Sequence, residues 1–101
     1  MEYIYQVRQT DQFVEWYGNL RDNRARKRIQ ARIDLLELGN PGDCKTIGFG
    51  VYEMRIHFGP GYRVYFMRRD KAVYLLLAGG DKRSQKRDIA AAVEMAKHER
   101  E

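Results

Sequence analysis

The chain has 101 residues, with 19 Lys and Arg against 14 Asp and Glu, and a formal net charge of +5. This length fits one domain over residues 1–101 and leaves no room for a separate cofactor domain. A 44% hydrophobic share can bury one modest core without disulfides or structural metal. No apolar run approaches the ~20 residues of a membrane span, and Met1-Glu2-Tyr3 lacks the basic and apolar regions of a signal peptide. Cys44 is the only cysteine, which excludes an intrachain disulfide framework and CxxC zinc sites. His57 and His98 are too few and too far apart to suggest a metal cluster. The expectation is a cytoplasmic protein with no metal, cofactor or membrane partner. Its positive balance favours polyanions, RNA or DNA first.

Residues 3–9 are β-branched and aromatic and predict a first strand. Thr10 or Asp11 can cap a short helix whose apolar face is Phe13, Trp16, Tyr17 and Leu20. Core packing is the preferred role of Trp16, ahead of base stacking. Asp22 or Asn23 can cap a second helix with an inner stripe of Ala25, Ile29, Ile33 and Leu36. Gly39 and Pro41 end it. Its outer face carries Arg21, Arg24, Arg26, Lys27, Arg28 and Arg32, opposed only by Asp22. Such a run reads equally as a solvated face or as a footprint for a phosphate backbone. After the turn Asn40-Pro41-Gly42-Asp43 come four strand segments: 45–47, 51–58, 62–69 and 72–78. A final helix is predicted over 84–97, with Ile89, Val93 and Ala96 inward. The order β-α-α-β-β-β-β-α describes an α+β domain, with an antiparallel sheet that the N-terminal strand is free to join in parallel.

The central hairpin locates a candidate site. A three-residue loop, Gly59-Pro60-Gly61, would pair Phe58 with Tyr62, His57 with Arg63 and Arg55 with Tyr65. One face is then Tyr52, Met54, Ile56, Phe58, Tyr62, Val64 and Phe66, apolar throughout. The other gathers Glu53, Arg55, His57, Arg63 and Tyr65. A one-residue slip would mix the two sets, so the hydrophobic pattern favours this register. Residues 73–78 are apolar on both sides, so the polar face is covered in part and forms a cleft. A Glu53–Arg55 ion pair is the plain structural reading of that face. A two-residue turn at Asp70-Lys71 would set Ala78 beside Arg63. Lys82, Arg83, Lys86 and Arg87 follow at the start of the last helix, where free N–H groups attract anions.

This residue set suits RNA cleavage by attack of a 2′-hydroxyl on the adjacent phosphorus. The reaction needs a base, cations around the phosphate and a proton for the leaving oxygen. Glu53 is the candidate base, Arg55 and Arg63 can grip the phosphate, and Lys82 or His57 can add charge or donate the proton. Tyr65, Arg24, Arg28, Arg32, Arg83, Lys86 and Arg87 are candidates for binding RNA.

Three segments, Val51-Tyr52-Glu53-Met54-Arg55-Ile56, Gly59 to Phe66 and Leu77-Ala78-Gly79-Gly80-Asp81-Lys82, carry a family resemblance. With Phe13, Trp16, Gln85 and Asp88-Ile89, they resemble the RelE/ParE toxin superfamily, and within it the HigB-like addiction module killer proteins. The resemblance covers nearly the whole chain. It implies the toxin of a type II toxin–antitoxin pair, and for RelE-like members a ribosome-dependent mRNA interferase. It implies functional roles for Arg63 in the Gly-Tyr-Arg motif, Arg55 on the preceding strand and Lys82 after the last strand. Glu53 stands where some relatives use a carboxylate base. RelE-type enzymes have a catalytic Tyr or His near the C-terminus; here residues 82–101 contain no Tyr, and His98 is their only His. The implied partners are the ribosome, mRNA and an antitoxin, a small helix-turn-helix DNA-binding protein. ParE-like toxins share the fold but poison DNA gyrase, which is the alternative, and an RNA-binding module without catalysis is a third reading.

Overall fold

The computed structural model describes residues 4–100. Strand β1 (Gln6–Gln9) starts later than expected, and Tyr3 of the predicted strand lies outside the described residues. Helices α1 (Asp11–Gly18) and α2 (Asn23–Glu37) follow, then β2 (Cys44–Gly48), β3 (Val51–Ile56), β4 (Tyr62–Asp70) and β5 (Val73–Gly80). A 3₁₀ turn (Lys82–Ser84) leads into α3 (Gln85–Glu99). The sheet order is β1-β5-β4-β3-β2, with β1 parallel to β5 and the other pairs antiparallel. The α+β expectation holds, including the parallel N-terminal strand.

Local chemistry sets the helix ends. The Thr10 hydroxyl accepts from the Phe13 N–H at 3.1 Å, and the Asp22 carboxylate accepts from Arg24 at 2.9 Å and Ala25 at 3.3 Å. Each satisfies N–H groups that the first turn leaves free.

Both faces of the sheet are covered. On one, Phe13 of α1 and Ile29, Ile33 and Leu36 of α2 pack on Met54, Ile56, Val64, Phe66 and Leu76. Trp16 packs at the edge of this core, in the role preferred from the sequence. On the other, Ala92 and Ala96 of α3 lie over Val51, Tyr65, Met67, Leu75, Leu77 and Ala78. Small alanines allow α3 to approach the sheet closely. At the end of β5, Gly79 and Gly80 face opposite layers. A Cβ on Gly79 would collide with the Trp16 ring, and one on Gly80 with Asp88 and Ser84.

The central hairpin keeps its predicted faces but not its predicted pairs. Ile56 pairs with Tyr62, Arg55 with Arg63, Met54 with Val64 and Glu53 with Tyr65. The register is displaced by two residues, so β3 ends at Ile56 and residues 57–61 form a longer loop. Side chains alternate with a period of two, so a displacement of two leaves the hydrophobic pattern unchanged. The loop decides between such registers. Gly59 and Gly61 take φ values of 57° and 79°, in the left-handed region open to glycine, and Phe58 leaves the sheet to meet α2. The β4–β5 pairing also differs from expectation: Arg63 lies beside Gly80, and Ala78 beside Tyr65, with a bulge between Tyr65 and Phe66.

The contact between Trp16 and Gly79 gives a stability prediction. Gly79→Ala should destabilise the fold by ~1–3 kcal/mol through overpacking. In a Trp16→Ala background the same substitution should cost much less. Denaturant melts of the four proteins in this double-mutant cycle check it, and equal costs in both backgrounds would contradict the contact.

Candidate functional site

Glu53 lies at the centre of the second face. The β2–β3 and β3–β4 registers place it between Lys45 and Tyr65, and α3 covers it. It is the only charged residue among the described ones that is fully buried, at 0% exposure. Its Oε2 accepts from the Tyr65 hydroxyl at 3.1 Å and from Gln85 Nε2 at 2.9 Å. Two cations flank it: Arg63 Nε is 3.8 Å from Oε2, and Lys45 Nζ is 3.9 Å from Oε1. Burial, and then the adjacent Glu53 charge, push the Tyr65 phenol above its ordinary range, so Tyr65 stays protonated and donates.

Arg63 rises from this buried node toward the surface, its side chain 13% exposed. Nη1 donates to the Gly61 carbonyl at 2.5 Å. Nε faces Glu53, is buried and makes no hydrogen bond. Nη2 has no partner among the described residues. Lys82 stands beside it, with the Lys82 Cβ and Arg63 Nη1 both close to Gly61. The beginning of β4, the end of β5 and the 3₁₀ turn therefore bring Arg63 and Lys82 together.

Arg55 neighbours Arg63 in the ladder, but its ion pair is not the one read from the sequence. Arg55 Nη2 binds Asp43 Oδ1 at 3.1 Å rather than Glu53. His57 lies beyond the end of β3, not opposite Arg63, and its Nε2 makes a short contact with Asp43 Oδ2. The hydrogen bonds from His57 and then Arg55 hold the Asp43 carboxyl below its ordinary range. The loop carrying Asp43 is itself held by Arg32. That guanidinium donates to the carbonyls of Arg55 at 2.7 Å, and of Pro41 and Asp43 at 3.1 Å each.

The remaining candidates divide into two groups. Arg24 and Arg28 flank the Phe58 ring, their guanidinium carbons 5.7 and 4.5 Å from its centroid, so α2 and the 57–61 loop share one basic surface. Arg83, Lys86 and Arg87 are exposed along the start of α3. Arg83 and Arg87 line an open groove of about 490 Å³ with Trp16, Gly79, Gly80 and Asp88. Two of the N–H groups at this entry are already taken, those of the 3₁₀ turn, while α3 itself has no side-chain cap. Asp81 accepts from Arg83 N at 2.9 Å and Ser84 N at 3.4 Å, closing a capping box. Sequence reasoning missed Asp43, which reads as turn chemistry, and Lys45. The Gly48-Phe49-Gly50 turn held the signal for Lys45, because that hairpin sets it opposite Glu53.

Three comparisons bear on this geometry. The sequence profile described as "Phage derived protein Gp49-like (DUF891)" matches residues 17–100. An uncharacterized protein of Haemophilus influenzae is 42% identical over 87 residues, covering 86% of this chain and 88% of its own. Among solved structures, a free-state double arginine-to-alanine variant of the E. coli toxin RelE superposes with a TM-score of 0.70. The match covers 94% of this chain and 98% of that one at 17% sequence identity, a likeness of fold.

The Asp43 cluster predicts a pH response. The fold lowers the pKa of Asp43, so its pairing stabilises the protein above the ordinary carboxylate range. That contribution should be lost as pH falls through the depressed value. His57→Ala and Arg55→Ala should each move the Asp43 titration midpoint upward, as followed by carboxyl NMR. An unmoved midpoint in both variants would show that these contacts do not form in solution.

Proposed function

The chain belongs to the Gp49-like phage-derived family, and from that membership, its RelE-like fold and the Arg63 site we propose that it is a type II toxin. In this reading it is a HigB-like, ribosome-dependent mRNA interferase that cleaves by attack of a 2′-hydroxyl on the neighbouring phosphorus. The observation that carries the reading is the state of Arg63. Its guanidinium bonds the Gly61 carbonyl through Nη1 and turns Nε toward Glu53, and Nη2 has no partner among the described residues; Lys82 lies near the same Gly61. A guanidinium held in this way stabilises charge that develops on phosphate oxygens, and orientation in advance is what gives such groups their catalytic effect. Arg55 adds charge from the neighbouring ladder position, partly offset by Asp43.

The basic surface of Arg24, Arg28 and Phe58, with Arg83, Lys86 and Arg87, is the proposed contact with ribosomal RNA. Arg32 is left out of that surface because its donors are taken by three carbonyls. An antitoxin, a small helix-turn-helix protein in this reading, would silence the toxin by covering or distorting the Arg63 face.

Cleavage of mRNA on programmed ribosomes by the purified protein tests the proposal. Arg63→Lys keeps a counter-charge beside Glu53 but loses the fork. It should retain the fold and slow cleavage ~100- to 1000-fold. Replacing Arg24 and Arg28 by Glu should weaken ribosome cosedimentation and flatten its salt dependence. A folded wild type that leaves mRNA intact and inhibits DNA gyrase would instead establish the ParE-like alternative.

A further inference from the structure

The Glu53 carboxylate cannot meet a substrate in this fold. A general base must come within ~2.6–3.2 Å of the proton it takes, and Glu53 is 0% exposed. Tyr65 and Gln85 occupy Oε2, and Arg63 stands between the carboxylate and the surface groups around Lys82. Resting on the interferase reading, we propose that Glu53 is a positioning residue: from beneath the sheet surface it holds the Arg63 guanidinium so that Nη2 is presented to the scissile phosphate.

Four features support this assignment. First, a free arginine side chain has several rotatable bonds, and Arg63 is restrained at two points, the Gly61 carbonyl through Nη1 and the Glu53 side through Nε. Nη2, with no hydrogen bond among the described residues, is the nitrogen left wholly for a ligand. Second, a buried carboxylate needs compensating charge and hydrogen bonds. Arg63 and Lys45 supply the charge, while Tyr65 and Gln85 supply the bonds, so Glu53 and Arg63 depend on each other. Third, Tyr65 keeps its proton and remains a donor, which holds Oε2 in place. Fourth, two of the buried side-chain atoms without a hydrogen bond, Glu53 Oε1 and Arg63 Nε, belong to this cluster. Native folds satisfy nearly all such atoms, and exceptions gather at functional sites.

The experiment has one readout independent of catalysis and one that depends on it. In ¹⁵N–¹H NMR, the Arg63 Nε–H signal, assigned by its loss in Arg63→Lys, should exchange slowly with solvent. In Glu53→Gln it should shift and exchange at least tenfold faster while the backbone spectrum keeps its native dispersion. On programmed ribosomes, Glu53→Gln should cleave about 100-fold more slowly, the cost of a misplaced group, with unchanged ribosome affinity. Its pH–rate profile should keep the wild-type shape, and in an Arg63→Lys background Glu53→Gln should add little, because both changes remove one function. Tyr65→Phe and Gln85→Ala should show the same pattern more weakly, and they serve if Glu53→Gln does not fold. An Arg63 signal indifferent to Glu53→Gln overturns the proposal. So does the disappearance of one limb of the pH profile in that variant, which would make Glu53 the base. If wild type does not cleave but the Arg63 signal responds to Glu53→Gln, the positioning role stands and the interferase reading falls.

Discussion

A carboxylate enclosed between a sheet and a helix must be neutralised where it stands, and that requirement organises the region around Glu53. The packing of α3 on the second face of the sheet removes Glu53 from water. An ionised group in such a place is stable only with opposite charge and donors around it. Lys45 comes from β2, Tyr65 and Arg63 from β4 and Gln85 from α3, so three elements meet on one side chain of β3. The β2–β3 and β3–β4 registers set Lys45 and Tyr65 on either side of it. A slip in either pairing would leave the carboxylate facing the wrong neighbour.

The cations show why counting charge on a helix overstates a binding footprint. Two cations of the α2 run serve the protein itself. Arg32 closes three carbonyls of the β2 approach and β3, and Arg26 donates to Leu20 while lying over the Tyr17 ring. Arg24 and Arg28 sit on Phe58 and hold the 57–61 loop in a basic surface. Guanidinium groups suit both roles because their forked donors and flat faces can bind carbonyls or stack on rings. The Arg32 clamp also fixes the loop that offers Asp43 to Arg55 and His57, so a backbone function and an electrostatic one share a residue.

The fold by itself leaves more than one activity open, since functions are carried by sites and not by architectures. What separates this site from a generic polar sheet face is the asymmetry among its cations. Arg55 pairs with the exposed Asp43, whereas Arg63 faces the buried Glu53 and lies near Lys82 at Gly61. Gly79 and Gly80 let Trp16 and α3 pack closely on the two sides of the adjoining end of β5.

By itself the sequence determined the order of elements, the helix stripes, the capping pairs Thr10/Asp11 and Asp22/Asn23 from which the structure uses Thr10 and Asp22, and the division of β3 and β4 into an apolar and a polar face. Each follows from neighbours a few residues apart: a 3.6-residue period, a twofold alternation or a side chain reaching its own helix end. It also singled out Arg63 and Lys82, through the Gly-Tyr-Arg motif and the exit of β5. The tertiary structure alone decided the pairing. Alternation is blind to a shift of two residues, and the shift was settled by the 57–61 loop as Phe58 reached α2. It alone decided that Glu53 is buried, because α3 arrives from more than thirty positions further along the chain. It alone gave Arg55 to Asp43 and Arg32 to the backbone. Those partners are distant in sequence, and hydrophobic periodicity carries no information about which charge will meet which.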